Sequence, residues 1–284
     1  DWTGMSNDLK PIHIWTPGIR DDTGGIQAFS RYFVKALLDS FPDRCLRVFV
    51  RNERLSADDP LRAVSRLDVH SYAGVPLPVR SHVMAAAASQ HGLADRPACA
   101  LSTHLHFLPA LRLLRGVGGI PYAGVLHGIE AWRISSRSRA ASMRQADRLL
   151  AVSQFTRDHV VQNHGVDPER ISVFANTYDA ERFTPGPKPR HLLEKYGLRP
   201  DQPVLLTVSR LALSERYKGH WQVLIALKRL RQRIPDVHYL VVGTGDELAH
   251  LRAAVRMMGL DRNVTFTGFV SGADLPDHYR LCDT

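Results

Sequence analysis

Residues 204–245 limit the folds open to this chain more than any other segment. Residues 204–208, Val-Leu-Leu-Thr-Val, are short, apolar and partly β-branched, which predicts a buried strand. A polar loop follows, and apolar positions then recur at helical spacing among arginines and lysines until Pro235 ends the helix. Residues 239–242 predict a second strand. A strand, a helix and a second buried strand in this order are typical of a parallel sheet in an α/β fold.

The same pattern runs through the first two thirds of the chain. Strands are predicted at residues 12–15, 46–50, 67–72, 100–107, 122–126, 149–152 and 171–175, with helices at 26–40, 79–91 and 156–164. A Pro-rich segment at 183–189 reads as a linker. We therefore predict an N-terminal domain over 8–178, a linker over 179–189 and the first half of a second domain over 190–284.

The polar loop of the first segment holds a candidate anion site. In open α/β sheets ligands bind beyond the carboxyl ends of the strands, which is where Arg210 and the glycines Gly243 and Gly245 fall. Lys218 begins a helix, where the dipole is already positive and a cation is unfavourable. An anion shared by Arg210, Lys218 and the helix amides, such as a diphosphate, would remove that conflict. The residues alone leave open that both side chains are simply solvated.

A resemblance to a known family rests on an ordered set of motifs. An ordered set of motifs runs from residue 204 to residue 269: Val-Ser-Arg-Leu, a polar loop, Lys-Gly-His, an amphipathic helix, Leu-Val-Val-Gly-Thr-Gly and Val-Thr-Phe-Thr-Gly-Phe. This order resembles the retaining, nucleotide-sugar-dependent glycosyltransferases of family 4. The resemblance implies the GT-B fold, with two Rossmann-like doubly wound parallel sheets facing a crevice and the second sheet incomplete in this chain.

The resemblance also implies an activity and its machinery. A sugar would move from a UDP- or GDP-sugar to a saccharide or lipid-linked acceptor, with no cofactor and no catalytic metal. Arg210 and Lys218 would stabilise the departing diphosphate, and Gly243 and Gly245 would admit the nucleotide.

Three residues of the first domain are expected to position donor and acceptor. Gly24 and Gly25 precede the first helix, where glycine lets the backbone approach a ligand closely. His127 ends the predicted strand 122–126, and a strand ending in His-Gly resembles the family's histidine that contacts the donor sugar. Glu130 lies just beyond His127, and the simplest interpretation is that it caps the next helix.

Two histidines and three cysteines are the remaining metal candidates. His104 and His106 alternate on a predicted strand, but no third ligand accompanies them, and we favour packing or acceptor contacts. The cysteines have no CxxC spacing, so neither a disulfide framework nor a zinc site is indicated.

The formal net charge of +9 is spread along the chain, with +4 in residues 1–180 and +5 in residues 181–284. Such a balance suits phosphate ligands or an anionic membrane surface, whereas no nucleic-acid-binding motif is present. If residues 133–148 form one helix, its arginines share one face that could meet anionic lipid, although most charge runs are only solvated. These arginines are Arg133, Arg137, Arg144 and Arg148.

The hydropathy of the chain bears on its location in the cell. No window approaches 18 uninterrupted apolar residues, and residues 1–10 lack the apolar core of a signal peptide. A cytoplasmic protein is expected, and a peripheral position at the inner face of the membrane stays open.

Two other functions stay open. The family's paired glutamates, which bind donor sugar and ribose, would fall beyond Thr284, so we expect the 284-residue chain by itself to transfer no sugar. A nucleotide- or phosphate-binding module without transfer activity is therefore the first alternative. A dinucleotide-dependent oxidoreductase is disfavoured, because neither glycine motif extends to GxGxxG with an acidic residue about 20 positions on.

Overall fold

Strands and helices alternate throughout the computed structural model, which describes residues 9–20 and 24–284. The chain divides into two units, and the second begins at Tyr178. The first unit contains, in chain order, β1 (Ile12–Thr16), α1 (Gly25–Ser40), β2 (Leu46–Val50), β3 (Leu67–Ser71), α2 (Leu77–Asp95), β4 (Cys99–Ser102), α3 (Leu108–Gly118), β5 (Tyr122–Leu126), α4 (Ile129–Trp132), α5 (Arg137–Arg144), β6 (Arg148–Ala151), α6 (Gln154–His164) and β7 (Ile171–Val173).

The first sheet has the order β3-β2-β1-β4-β5-β6-β7, and every neighbouring pair is parallel. β1 lies inside the sheet, where Ile14 pairs with Val48 on one side and with Leu101 on the other. Because all pairs are parallel, the carboxyl ends of these strands lie along one edge of the sheet. The loops at that edge carry the candidate residues of this unit.

Side-chain alternation along β1 explains how both faces are covered. Ile12 and Ile14 pack in one cluster with Val34 and Leu38 of α1. Trp15 points to the opposite face and belongs to a second cluster with residues of α2, α3, α5 and α6. Buried parallel strands need helices on both faces, and the crossover connections supply them.

The second unit repeats this plan with fewer strands. It contains α7 (Arg190–Tyr196), β8 (Val204–Val208), α8 (His220–Leu230), β9 (His238–Val242), α9 (Leu248–Met257), β10 (Val264–Gly268) and α10 (Leu275–Leu281). The sheet order is β10-β9-β8, all parallel. Tyr239 and Val241 pack towards α8 and α9, whereas Leu240 and Val242 pack towards α7 and α10. On the other edge of β8, the amide of Leu206 donates to the carbonyl of Thr284 at 2.8 Å.

The prediction of parallel α/β sheets is confirmed in both units, and the predicted bounds of β2, β5 and β8 match those observed. The single helix over residues 133–148, on which a shared arginine face depended, does not form. α4 ends before Arg133, the Ser136 hydroxyl caps a new helix by accepting from the Arg139 amide, and Arg148 lies in β6. Arg133 and Arg148 therefore do not share a helix face with Arg137 and Arg144. The serine cap begins α5 after Arg133, and α5 ends at Arg144, before Arg148.

Within residues 9–20 and 24–284, no helix is both long and apolar enough to cross a bilayer. Most of the polar segment 1–10, discussed above as lacking a signal-peptide core, lies outside the described residues.

A buried polar network underlies the second face of the first sheet. His13 of β1 is fully buried, and its Nε2 lies 3.0 Å from Oδ2 of Asp95, which also pairs with Arg47. The His13 Nδ1 is buried without a hydrogen-bond partner among the described residues. Burial lowers the pKa of His13 to about 4, although Asp95 opposes that shift. The ring is therefore neutral in the folded protein at neutral pH.

The pH dependence of stability follows from this depressed pKa. Below about pH 6.5 an unfolded His13 binds a proton that the folded ring does not bind until about pH 4. We expect its contribution to stability to be complete above about pH 6.5 and to fall, by on the order of 1–3 kcal/mol, as the pH drops towards 4. Urea unfolding at a series of pH values measures this loss.

His13→Gln should flatten the pH dependence, even if it lowers stability at every pH. The matched control is His82→Gln, because His82 lies on the exposed side of α2. If the free energy of unfolding fell equally steeply with pH in wild type and His13→Gln, His13 would not be the source of the pH dependence.

Candidate active site

The loop after β8 brings the two predicted cations to one carboxylate. Arg210 directly follows β8 and Ser209, and Lys218 ends a short 3₁₀ helix, Leu213–Lys218. The Arg210 Nη2 lies 2.8 Å from Oε1 of Glu215, and the Lys218 Nζ lies 2.7 Å from its Oε2. Burial would raise the pKa of Glu215, but Lys218 and Arg210 together hold it below its usual value. Glu215 therefore occupies the position between the cations as an anion.

Glu215 escaped the sequence-based prediction because a single acid in a polar loop has no characteristic spacing. The two cations also differ in exposure: the side chain of Arg210 is 71% exposed and that of Lys218 is 28% exposed. Arg210 thus has room to move towards a ligand, whereas Lys218 is more firmly held.

A buried glutamate anchors the same loop to the start of α9. Glu247 is fully buried, and its Oε1 accepts from Nε of Arg216 at 2.7 Å and from the Trp221 indole at 2.8 Å. The Arg216 guanidinium also lies over the Trp221 ring, 5.8 Å from its centre. This pairing of a buried carboxylate with a half-exposed arginine holds the 3₁₀ helix on which Glu215 and Lys218 lie.

Gly243 and Gly245 follow β9 and lie against the backbone of the β8 loop. Both have positive φ, 139° and 157°, and a Cβ on either would collide with the carbonyl of Ser209 or of Leu211. The Leu211 amide donates to the Thr244 carbonyl at 2.9 Å, so the two loops are joined through their backbones. The glycines are required for this close approach, and their contact with a nucleotide stays a prediction.

His220, directly after Lys218-Gly219, points inward. Its Nε2 lies 2.8 Å from the Ser209 hydroxyl and its Nδ1 lies 3.4 Å from the Tyr239 hydroxyl. Tyr239 in turn donates to the Thr207 hydroxyl at 2.9 Å. Burial lowers the pKa of His220, so this residue ties α8 to β8 and β9 as a neutral ring.

In the first unit, His127 follows β5 at the carboxyl edge of the sheet. Its Nε2 donates to the Thr103 carbonyl at 2.8 Å, and its ring meets that of Phe29 edge to face at 4.9 Å. Burial lowers the pKa of His127, against the effects of the Thr103 carbonyl and of Glu130. A neutral ring whose Nε2 is occupied offers Nδ1 as a hydrogen-bond acceptor. Glu130 accepts from the backbone amide of His127 at 2.6 Å and shapes the turn.

Gly24 and Gly25 lie at the start of α1. Gly24 is the N-cap residue, and both glycines are exposed. No atom lies within 4 Å of the position that a Cβ on Gly25 would occupy, so the backbone here is open to a ligand. Residues 21–23 of the same loop lie outside the described part of the chain.

His104 and His106 do come together, but not by strand alternation. β4 ends at Ser102, and His104 caps a 3₁₀ turn, Leu105–Phe107, by accepting from the His106 amide. The two rings stack with their centres 4.5 Å apart. The predicted strand over 100–107 is too long because the turn into α3 begins earlier. Among residues 9–20 and 24–284, no three His, Cys, Asp or Glu side chains form a group able to hold a metal ion.

Comparison with known proteins identifies the family. The profile described as "Glycosyltransferase Family 4" matches residues 24–182, and that described as "Glycosyl transferases group 1" matches residues 190–284. The chain belongs to glycosyltransferase family 4. The resemblance drawn from the motifs of residues 204–269 is thereby confirmed.

Two curated proteins of known name are similar in sequence to this family 4 chain. A GDP-mannose-dependent alpha-(1-6)-phosphatidylinositol monomannoside mannosyltransferase of Mycolicibacterium smegmatis is 31% identical over 176 residues, covering 60% of this chain and 45% of the relative. A D-inositol 3-phosphate glycosyltransferase 2 of Catenulispora acidiphila is 35% identical over 147 residues, covering 49% and 34%. The chain spans about half the length, or less, of the curated relatives it matches.

Solved structures agree with the GT-B fold of the family. Anabaena Alr3699/HepE in complex with UDP-glucose aligns with a TM-score of 0.73 at 19% identity, covering 96% of this chain and 72% of that one. WaaG, a glycosyltransferase involved in lipopolysaccharide biosynthesis, aligns with a TM-score of 0.66 at 16% identity, covering 95% and 73%. At these identities the likeness concerns the fold alone.

The close approach of the two loops gives a stability prediction for the family 4 chain. Gly243→Ala places a Cβ against the Ser209 carbonyl at a positive φ, and we expect it to lower the free energy of unfolding by about 2–4 kcal/mol. Gly116→Ala is the control, because it adds a Cβ in open space inside α3 and should raise stability by about 0.5–1 kcal/mol. Chemical denaturation measures both. A Gly243→Ala variant as stable as wild type would show that the loops are not in contact.

Proposed function

We propose that this chain binds a nucleoside diphosphate sugar and belongs to an enzyme that transfers the sugar, with retention, to a saccharide or lipid-linked acceptor. The observation that carries the proposal is the convergence of Arg210 and Lys218 on the single carboxylate of Glu215. Two cations held at one anion by a loop beyond a strand's carboxyl end make a ready site for a diphosphate.

The proposed donor is a UDP- or GDP-sugar. The Mycolicibacterium relative is named as GDP-mannose-dependent, and HepE was crystallised with UDP-glucose. Both donors carry the same diphosphate, so the Arg210 and Lys218 pair suits either of them. We propose that the nucleotide enters beside the loop that Gly243 and Gly245 form.

The chemistry requires charge stabilisation more than a protein nucleophile. As the bond to the anomeric carbon breaks, negative charge grows on the diphosphate, and Arg210 and Lys218 supply the opposite charge. The neutral His127 ring, with Nδ1 open as an acceptor, suits a hydroxyl of the donor sugar. Gly24 and Gly25 leave backbone exposed at the start of α1, and we propose that this backbone contacts donor or acceptor. In this proposal no cofactor takes part, and the protein's own cations carry the role that a metal would otherwise fill.

The acceptor class and the location are further parts of the proposal. The names of the curated relatives mention phosphatidylinositol monomannoside, inositol 3-phosphate and mannosylfructose-phosphate. We propose an acceptor that bears phosphate, and a cytoplasmic protein that visits the inner face of the membrane when that acceptor is a lipid. The net charge of +9 favours both, and no nucleic acid partner is proposed.

The donor site is tested by calorimetry with UDP and GDP. Arg210→Ala and Lys218→Ala should each weaken binding of the preferred nucleotide by about 1.5–3 kcal/mol, because each removes a charge-assisted contact. Arg233→Gln, a charge change beyond the end of α8, is the control and should leave binding unchanged. Unchanged affinity in both alanine variants, or a clear preference for NAD over UDP and GDP, would contradict the proposal.

Glu215 should compete with the nucleotide for the two cations. Glu215→Gln keeps the side-chain shape but removes its negative charge, so we expect UDP or GDP to bind about 3- to 30-fold more tightly. Glu194→Gln, an exposed change in the same unit, serves as the control. Weaker nucleotide binding by Glu215→Gln would mean that the carboxylate organises the bound site rather than occupying it.

A further inference from the structure

At the carboxyl edge of the first sheet, four basic side chains without a role in the donor site lie close enough for the two arginines to act electrostatically on the two histidines. They lie on the side covered by α2, α3 and α5: Arg51 follows β2, His104 and His106 follow β4, and Arg139 lies in α5. Different elements thus direct positive or protonatable groups to one place. Such convergence from separate elements requires the tertiary fold.

The two guanidinium groups have no acidic partner. Arg51 donates from Nε to the Ser81 hydroxyl at 2.6 Å and from Nη1 to the Asn52 side chain at 2.8 Å, both uncharged. Arg139 is half-buried in α5. Within the described part of the chain, no carboxylate lies in ion-pair distance of either arginine.

The histidine pair offers one hydrogen-bond donor, on the His104 ring. The His104 Nδ1 accepts from the His106 amide at 3.1 Å and lies 2.8 Å from the His106 Nδ1. Because that nitrogen of His104 accepts, its Nε2 carries the proton and is a donor. A proton on the His106 Nδ1 completes the contact between the rings. The pair is therefore pre-arranged without needing a positive charge.

Electrostatics favours an anion at this cluster. The pKa of His104 is lowered to about 3, first by burial and then by His106, His127, Arg139 and Arg51. The pKa of His106 is also lowered, first by burial and then by Arg139 and Arg51. Glu130, an acid that acts on His106, already accepts from backbone amides. The cluster thus has uncompensated positive charge, and a bound anion would relieve it.

We propose that Arg51, Arg139, His104 and His106 form a second anion site, which holds a phosphate group of the acceptor. Two arginines and a neutral imidazole donor match the oxygens of a phosphate monoester or diester. The site lies on the first unit and is built from other residues than the diphosphate site of Arg210 and Lys218. That the anion belongs to the acceptor rests on the proposed function, whereas anion binding itself does not.

Binding of inorganic phosphate tests the site directly. Calorimetry is done on an Arg210→Ala/Lys218→Ala background, which removes the proposed diphosphate site. We expect phosphate to bind this background protein, and Arg139→Gln or Arg51→Gln to weaken binding about tenfold or more, as for a charged hydrogen bond. Arg137→Gln, an exposed change on the same helix, should leave phosphate binding unchanged. Arg139→Lys should recover part of the affinity, because it restores charge without the planar fork.

A second set of probes separates a soluble phosphate from a lipid headgroup. sn-Glycerol 3-phosphate is compared by calorimetry, and vesicles of phosphatidylinositol in phosphatidylcholine are compared with pure phosphatidylcholine by flotation. If Arg139→Gln loses binding to sn-glycerol 3-phosphate, the acceptor is a soluble phosphate ester. If Arg139→Gln loses flotation with the phosphatidylinositol vesicles, the acceptor is a lipid.

Each outcome bears on one claim. No phosphate binding to the background protein, or equal affinity in Arg139→Gln, Arg51→Gln and Arg137→Gln, would overturn the second anion site. If the wild type nevertheless bound UDP or GDP through Arg210 and Lys218, the proposed function would stand. Phosphate binding that depends on Arg139, without any nucleotide binding, would keep the anion site and remove its assignment to an acceptor. Circular dichroism confirms that each variant is folded.

Discussion

Parallel strand pairing is the constraint on which the rest of this structure depends. When neighbouring strands run in one direction, every loop that follows a strand emerges at the same edge of the sheet. In the first unit this brings Arg51, the His104 turn and the His127 turn to one edge, although they are far apart in sequence. In the second unit it sets the Arg210 loop beside the glycine loop that follows β9. The candidate chemistry is therefore a consequence of strand direction.

Carboxylates shape the loops at these edges in three different ways. Glu215 faces the cations that are proposed to bind the donor, so it stands where a ligand anion would stand. Glu247 is buried and anchors the loop through Arg216 and Trp221. Glu130 accepts from backbone amides and sets the turn at His127. Paired or hydrogen-bonded acids are the form in which buried charge is tolerated.

The two proposed anion sites differ in how their positive charge is balanced. Arg210 and Lys218 have Glu215 as an internal partner, and a ligand must compete with it. Arg51 and Arg139 have only neutral partners or none among the described residues, so their charge is available to a ligand at once. An internal competitor lowers affinity for any anion, whereas an uncompensated pair raises it. Burial is the main cause that lowers the pKa of His104 and His106, and the two arginines lower it further.

The sequence by itself determined most of the strands, the parallel α/β class and the family. Short apolar runs bounded by loops are a local signal, which is why β2, β5 and β8 were predicted to the residue. The family was recognised from the ordered motifs around Arg210, Lys218 and Gly243. Local capping was harder to foresee: Ser136 restarts a helix inside residues 133–148, and His104 begins a turn where alternation suggested a strand.

Only the tertiary structure decided which side chains meet. Nothing in the sequence pairs Glu215 with Arg210 and Lys218, because the carboxylate acts through the folded loop and not through a repeated spacing. Gly243 was predicted for a ligand, yet its positive φ is needed first for contact with the Ser209 backbone. The gathering of Arg51 and Arg139 around two histidines depends on strand order, a property that the residues of any one segment do not carry.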